Sequence, residues 1–306
     1  MSESSQDREV QSVSEATLEA VGASTSELTV SSTSGSFAGF IVPPFVWMIL
    51  FYIAVIWISP WSQDHFGLTG APVSGIALFT AAGFMSLTAL WAIGRMAGTN
   101  VSGAVLVLVF AISALADIGI NRSLANGAAG GMHHYGFINL SLMGMAYSGG
   151  TLVSRAVDKV TYILPLSVIA GIADIWSVFA GVTKEVAKSK VALNYALFSY
   201  PVPGFGIRPL VGATDFLFAA LYLSLALKFD LPFRRNAILV GFSFLLSIAI
   251  AIGTGLGIPV LPVMALMVIL GNWSSVKVTD PREKREALAG IVMVVTALAI
   301  ITLVRR

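Results

Sequence analysis

The sequence predicts an all-α, polytopic membrane protein with about nine transmembrane helices behind a disordered N-terminal tail. Two observations carry that prediction. Of 306 residues, 56% are hydrophobic and only 11% charged, with a mean hydropathy of +0.85; a soluble domain is about 25% charged. Apolar runs of roughly 18 residues or more then recur along the whole chain after residue 36, the length a helix needs to cross hydrocarbon. The net charge of +2 is too small to imply a nucleic-acid partner. The absence of cysteine excludes disulfides and thiolate metal sites. Three histidines with no His-x-x-x-His spacing argue against a zinc-type metalloprotease.

The chain divides into four parts. Residues 1–36 are rich in Ser, Thr and Glu and hold one Arg against six acidic residues. With no basic n-region and no apolar h-region they are not a signal peptide, and they bury too little to fold, so a disordered tail is expected. Residues 37–158 hold four apolar runs: about 37–59, interrupted by Pro43-Pro44; about 72–93, closed by Arg95; about 101–120, with Asp117 near its end; and about 135–152, the shortest and most polar. A Gly-rich loop with His133-His134 precedes the last. Residues 159–273 form a catalytic-type core of runs at about 161–182, 209–229, 236–253 and 259–273. Its connector, 183–208, ends in the turn chemistry of Tyr-Pro-Val-Pro-Gly. Residues 274–306 are a charged loop and a final run at about 287–304.

Asp174 and Asp215 each stand alone inside an apolar run. A charged side chain near the bilayer centre costs at least about 2.5 kcal/mol, so the pair needs a reason. Their runs are consecutive and cross in opposite directions. Asp174 lies about 8 residues before its run ends and Asp215 about 6 after its run starts, roughly 12 Å and 9 Å from the same membrane face. The break Gly-Thr-Gly-Leu-Gly-Ile-Pro after residue 252 returns to the same depth. Irregular backbone there is tolerated only where protein or water covers it. Two carboxylates meeting in such a place would share one proton rather than both ionise. An aspartic protease uses that arrangement. The ionised carboxylate takes a proton from water, and the protonated one donates to the developing oxyanion and then to the leaving amine. This chemistry calls for no metal and no cofactor.

These motifs, in this order, resemble the presenilin and signal-peptide-peptidase family of GxGD-type intramembrane aspartyl proteases. That family carries Tyr-Asp in one helix, Gly-x-Gly-Asp in the next and Pro-Ala-Leu in a later break. Here stand Ala173-Asp174, Gly212-Ala213-Thr214-Asp215 and Pro259-Val260-Leu261. The Ser-Val after Asp174, Phe216 after Asp215 and Pro262 after Leu261 are similar as well. The likeness covers roughly residues 160–273. It implies a presenilin-like fold with Asp174 and Asp215 as the catalytic pair. Gly212, Ala213 and Thr214 would shape the backbone beside Asp215. Pro259, Val260 and Leu261 would hold an unwound transmembrane substrate as an added strand, with the 183–208 connector gating access or supplying that strand. Ala173, Thr214 and Val260 depart from the family's Tyr, Gly and Ala. Four runs rather than five precede Asp174, and one extra run follows the break.

Other readings remain open at this level. Buried carboxylates beside a broken helix also suit a proton-coupled secondary transporter, although no internal repeat is visible. A catalytically inactive presenilin-like scaffold would keep the same motifs. Either aspartate could simply bond helix backbone, and Gly212 or Gly257 could serve close helix packing. Asp117, beside Arg122, reads as structural, and His133-His134 as an exposed loop. Lys277 to Arg285 read as a juxtamembrane cluster. With nine helices, the N-terminus and the loops near 95, 155–159, 228–235 and 277–285 share one side with eleven of the Lys and Arg residues, against seven opposite. That puts the N-terminus inside and the aspartates nearer the outer face. The expected setting is a multi-pass protein of a prokaryotic cell membrane, in contact with the lipid bilayer and compatible with a homo-oligomer.

Overall fold

The structure, a computed structural model, describes residues 71–126, 132–179, 190–202, 206–254, 259–277 and 280–304. All lie within one compact unit, Phe40–Arg306. The expected tail at 1–36 and the run at 37–59 lie outside the described residues.

The chain is mostly helical. Its elements are α1 (Ala71–Ala97), α2 (Gly103–Ala125), α3 (Met132–Ala156), a 3-10 turn (Val160–Tyr162), α4 (Ile163–Phe179), α5 (Lys190–Ala196), β1 (Leu197–Val202), β2 (Gly206–Gly212), α6 (Ala213–Lys228), α7 (Phe233–Thr254), α8 (Val260–Gly271), the single turn α9 (Trp273–Val276) and α10 (Pro281–Val304). Among the described residues, five helical stretches are long and apolar enough to cross a membrane: Gly75–Ala97, Gly103–Ala125, Val160–Ser177, Phe233–Thr254 and Pro281–Thr302. They turn large apolar side chains outward, among them Val107, Leu108 and Leu115 on α2 and Leu288, Val292 and Met293 on α10. Water would not tolerate such surfaces in a monomer; an integral membrane protein would.

The described residues thus give five such spans where nine were expected. α3 is a full helix but carries Asn139, Ser141, Ser148, Thr151 and Ser154 along its length. The run at 209–229 splits. Its first residues go to β2, and α6 starts only at Ala213. α8 is a 12-residue helix. The fourth run begins three residues earlier than expected, so His133 and His134 stand in the first turn of α3 rather than in a loop. His134 is half-buried rather than exposed.

The core is built on α6, ten of whose sixteen residues are buried. α1, α3 and α7 pack around it. Gly150 is what lets α3 come so close: a methyl there would fall on the Leu217 carbonyl and lie 2.8 Å from the Leu221 nitrogen. α4 packs on α8 and α10 instead, and α8 touches both α4 and α6.

One end of this bundle is fastened by cations on carbonyls. Lys228, in the last turn of α6, donates to the carbonyls of Ser154, Arg155 and Val157 at 3.2, 3.0 and 2.6 Å. Arg155 donates to the Val101 carbonyl. Cations suit helix C-termini, where carbonyls lack partners. α6 then closes with Leu231 N–H on Ala226 O and Asp230 N–H on Leu227 O, with Asp230 left-handed at φ 51°. At the same end Arg235 meets Asn272 (2.8 Å) and Lys159 meets Glu283 (2.6 Å). The Glu283 contact holds the exposed Lys159 ammonium above the usual lysine value. The cluster from Lys277 to Arg285 is therefore a loop only in its first part, because Pro281 opens α10.

Between α5 and α6, where a turn-rich connector was expected to gate access or supply a strand, the chain forms two strands. β1 and β2 form an antiparallel hairpin with an irregularity between Phe198 and Ser199. Phe198, Tyr200 and Val202 alternate inward and are buried. Phe198 stacks on Phe216 (4.4 Å between centroids), which stacks on Phe244 (4.9 Å). At the bulge, Asn139 of α3 bonds the main chain of the hairpin from outside. Its Oδ1 accepts the Ser199 N–H at 2.9 Å and its Nδ2 donates to the Ser199 carbonyl at 2.8 Å.

Candidate functional site

Asp215 is placed by the strand-to-helix junction. β2 ends at Gly212, and Asp215 is the third residue of α6, where a carboxylate can reach back to an unpaired amide. The Gly212 N–H donates to Asp215 Oδ2 at 3.2 Å. Gly212 is in ordinary extended geometry (φ −68°), so space and not backbone freedom calls for glycine. A methyl there would lie 3.0 Å from Asp215 Oδ2 and 3.3 Å from Thr214 Oγ1. Asp215 is buried, while Thr214 is exposed and Ala213 half-buried.

Asp174 is placed by a second helix start. α8 begins after Pro259, which is extended (ψ 135°) and offers no capping side chain. Asp174, half-buried on α4, supplies the missing acceptor: the Leu261 N–H donates to its Oδ2 at 3.3 Å. Gly171, one turn earlier on α4, faces Pro262 at the distance of an ordinary van der Waals contact. The segments Ala173-Asp174 and Pro259-Val260-Leu261 are thereby in contact. The side chains of Val260 and Leu261 turn into the core, and what this segment presents to Asp174 is backbone.

The two carboxylates are near enough for the charge of Asp174 to act repulsively on Asp215. A hydrogen bond fixes their relative height. Tyr222 Oη on α6 donates to Ser167 Oγ on α4 at 2.8 Å, and both side chains are buried. Ser167 lies one heptad before Asp174, and Tyr222 one heptad after Asp215. The helices run antiparallel, with the start of α4 and the end of α6 both at the Lys228 end. One heptad along each therefore moves about 10.5 Å in the same direction and returns to nearly the same helix face. The clamp sets both aspartates at one level. Asp215 is roughly 3 Å into α6.

The third acidic residue of the apolar region lies apart. Asp117 is buried and accepts from Asn121 Nδ2 at 3.0 Å within its own helix; its partner is Asn121 and not Arg122. α2 packs on α3 and α5. Sequence reasoning missed Tyr222, Ser167 and Asn139. The heptad offsets from the aspartates would have found the first two.

No family model matches this sequence, and neither a curated protein nor a solved structure is similar to it. What fold and site define is a mostly helical protein of membrane-compatible surface. In it, two aspartates on antiparallel helices are held at one level, each by the amide of a helix start.

Proposed function

We propose that the chain is an intramembrane aspartyl protease of the GxGD type, hydrolysing peptide bonds of transmembrane proteins or peptides in a prokaryotic cell membrane. Asp174 and Asp215 are its acid–base pair. The observation that carries this reading is the hydrogen bond from Leu261 N–H to Asp174, which joins two motifs distant in sequence, with Asp215 at the same level on the helix that Tyr222 ties to α4. Helix capping alone would account for each carboxylate separately. It gives no reason to bring two like charges together in a poorly hydrated place, which is unfavourable unless they share a proton.

Each carboxylate has its Oδ2 held by a backbone N–H, and Oδ1 has no protein partner among the described residues. That leaves one oxygen of each for water and substrate. The ionised member takes the proton of a water between them as that water attacks the peptide carbonyl. The other gives its proton to the oxyanion, forming a gem-diol; the first then passes the water-derived proton to the amine as the C–N bond breaks, and the second takes a proton back from the diol. The substrate must be unwound, since a helix hides its amides. A strand leading straight into Gly212 and Asp215 is a template for such a segment. The rival carrier reading draws no support from Asp117, whose partner is in its own helix.

The test is cleavage of a tagged transmembrane peptide by the full-length protein in liposomes. Wild type should cut, and Asp174→Ala and Asp215→Ala should each abolish cutting. If both variants cut like wild type, the mechanism is wrong. If a folded wild type cuts no transmembrane peptide in a broad set, the chain is a scaffold.

A further inference from the structure

A groove of about 570 Å³ opens on the bundle surface between α1 and α7, floored by Leu223 of α6. It is distinct from the aspartate site. Its walls are apolar, and Leu87, Trp91, Ile238 and Phe242 along it are 40–61% exposed. Two guanidinium groups, Arg95 and Arg234, also line it. Their places in the fold put both at the same end. Arg95 is in the last turn of α1 and Arg234 in the first turn of α7. From there the lining runs back along α1 to Leu87 and forward along α7 to Leu245, roughly 12 Å and 16 Å of helix. The groove is thus a slot with a cationic mouth and a greasy shaft, running along the helix axes. Its mouth is at the end where Arg155, Lys159 and Lys228 also lie.

Neither arginine is paired with a carboxylate among the described residues. Arg95 lies over the Trp91 ring at 5.6 Å, and its neighbour in kind, Arg235, is taken by Asn272. Arg234 stands at a helix N-terminus that has no acidic residue in its first turn, the reverse of what the helix dipole favours. An anion at the mouth would answer both arginines and the dipole. Water cannot fill the shaft favourably, whereas a hydrocarbon chain can. A small residue brings the two walls together: a methyl on Gly241 would come 3.2 Å from Leu87.

We infer that this groove is a binding site for an anionic phospholipid, its phosphate held between Arg95 and Arg234 and one acyl chain laid between α1 and α7. Basic pockets between membrane helices bind such headgroups, and Trp91 sits where interfacial aromatics belong.

The test uses delipidated full-length protein and native mass spectrometry, titrated with phosphatidylglycerol and with phosphatidylcholine of the same chains. Wild type should hold phosphatidylglycerol at least about tenfold more tightly. Arg95→Gln/Arg234→Gln should lose that preference while keeping its thermal unfolding midpoint, and Arg282→Gln should keep the preference. Equal retention of both lipids by wild type, or an unchanged preference in the double variant, overturns the site. So does equal competition by soluble glycerol 3-phosphate, since the shaft would then contribute nothing. Residues 37–59 are the rival occupant. The chain has no native cysteine, so a disulfide forming readily between Ile238→Cys and Met48→Cys would assign the groove to that segment and overturn the lipid.

Discussion

Removing the hydrogen bond between Tyr222 and Ser167 should loosen the aspartate pair without touching it. The two deletions are not equivalent. Tyr222→Phe leaves Ser167 Oγ, which can turn back to a carbonyl of its own helix, as serine does in membrane helices. Ser167→Ala leaves the phenol of Tyr222 buried, with 2% of its surface exposed, and removes the partner to which its hydroxyl donates. A buried polar group left unpaired costs about 1–3 kcal/mol, whereas an interhelical hydrogen bond in a membrane averages about 0.6 kcal/mol. Tyr222→Phe should therefore cost about 0.6 kcal/mol and Ser167→Ala nearer 2 kcal/mol. The double variant should fall close to the cheaper single, because removing both partners leaves nothing unpaired. Unfolding by sodium dodecyl sulfate in mixed micelles reads these differences, and the double-mutant cycle isolates the coupling. Peptide cleavage should fall about tenfold in kcat for either single variant with KM held, since small displacements of a positioned group are costly to catalysis. Additive single effects, or Tyr222→Phe costing more than Ser167→Ala, would refute the clamp.

Other consequences are local. Asn139→Leu should destabilise the protein by about 1–3 kcal/mol, because it removes both buried hydrogen bonds that Asn139 makes to the main chain of Ser199; Asn139→Gln should restore little, its reach being one methylene too long. Gly150→Ala should cost at least about 1–3 kcal/mol through overpacking, read by the same unfolding assay, since the methyl meets α6 backbone rather than a movable side chain. Lys159 holds its proton more firmly in the folded chain, so the stabilisation from Glu283 is present below the usual lysine value of 10.5 and is lost as pH rises through the folded value. Alkaline amine labelling at Lys159 should therefore quicken in Glu283→Gln at pH 9–10, about the flank of a lysine titration, and quicken less in Glu286→Gln, whose charge is the weaker influence on Lys159.

What could be read in the sequence was what depends on local composition. Runs of apolar residues gave α1, α2, α4 and α7 to within about five residues at each end, and α10 with its charged first turns missed, because a span is declared by length and hydropathy alone. Asp174, Asp215 and the Pro259 break stood out for the same reason, each being a costly exception in an apolar stretch. The hairpin did not, because Pro201 and Pro209 look like punctuation while Phe198, Tyr200 and Val202 carry a period-two signal only three positions long. Its stability comes from outside it, from Asn139 and from the stack on Phe216 and Phe244, and no local window contains those partners. The same displacement misplaced Asp215. Counted as one helix from Pro209, Asp215 lies about six residues in; with β2 in place it is in the first turn, where it accepts an amide proton.

That first-turn position bears on the residues that depart from the family likeness. Both carboxylates are oriented by main-chain N–H groups, from Gly212 and Leu261, and an N–H is supplied by every residue except proline. Thr214 is exposed and Val260 turns into the core, so neither side chain is the one that holds a carboxylate. The donor at Leu261 can be deleted cleanly. It lies in the first turn of α8, where an amide has no intrahelical partner and proline is tolerated. Leu261→Pro should keep α8 while removing the hydrogen bond to Asp174, and Leu261→Ala should lose the same buried side chain while keeping that bond. The comparison separates the two effects. Both variants should lose about 2–5 kcal/mol of stability to the missing leucine, and only Leu261→Pro should also lose cleavage by a further tenfold or more, about the worth of one charge-assisted hydrogen bond. Equal activity in the two would show that the amide of residue 261 does not position Asp174, and the Pro259-Val260-Leu261 segment would then be packing alone.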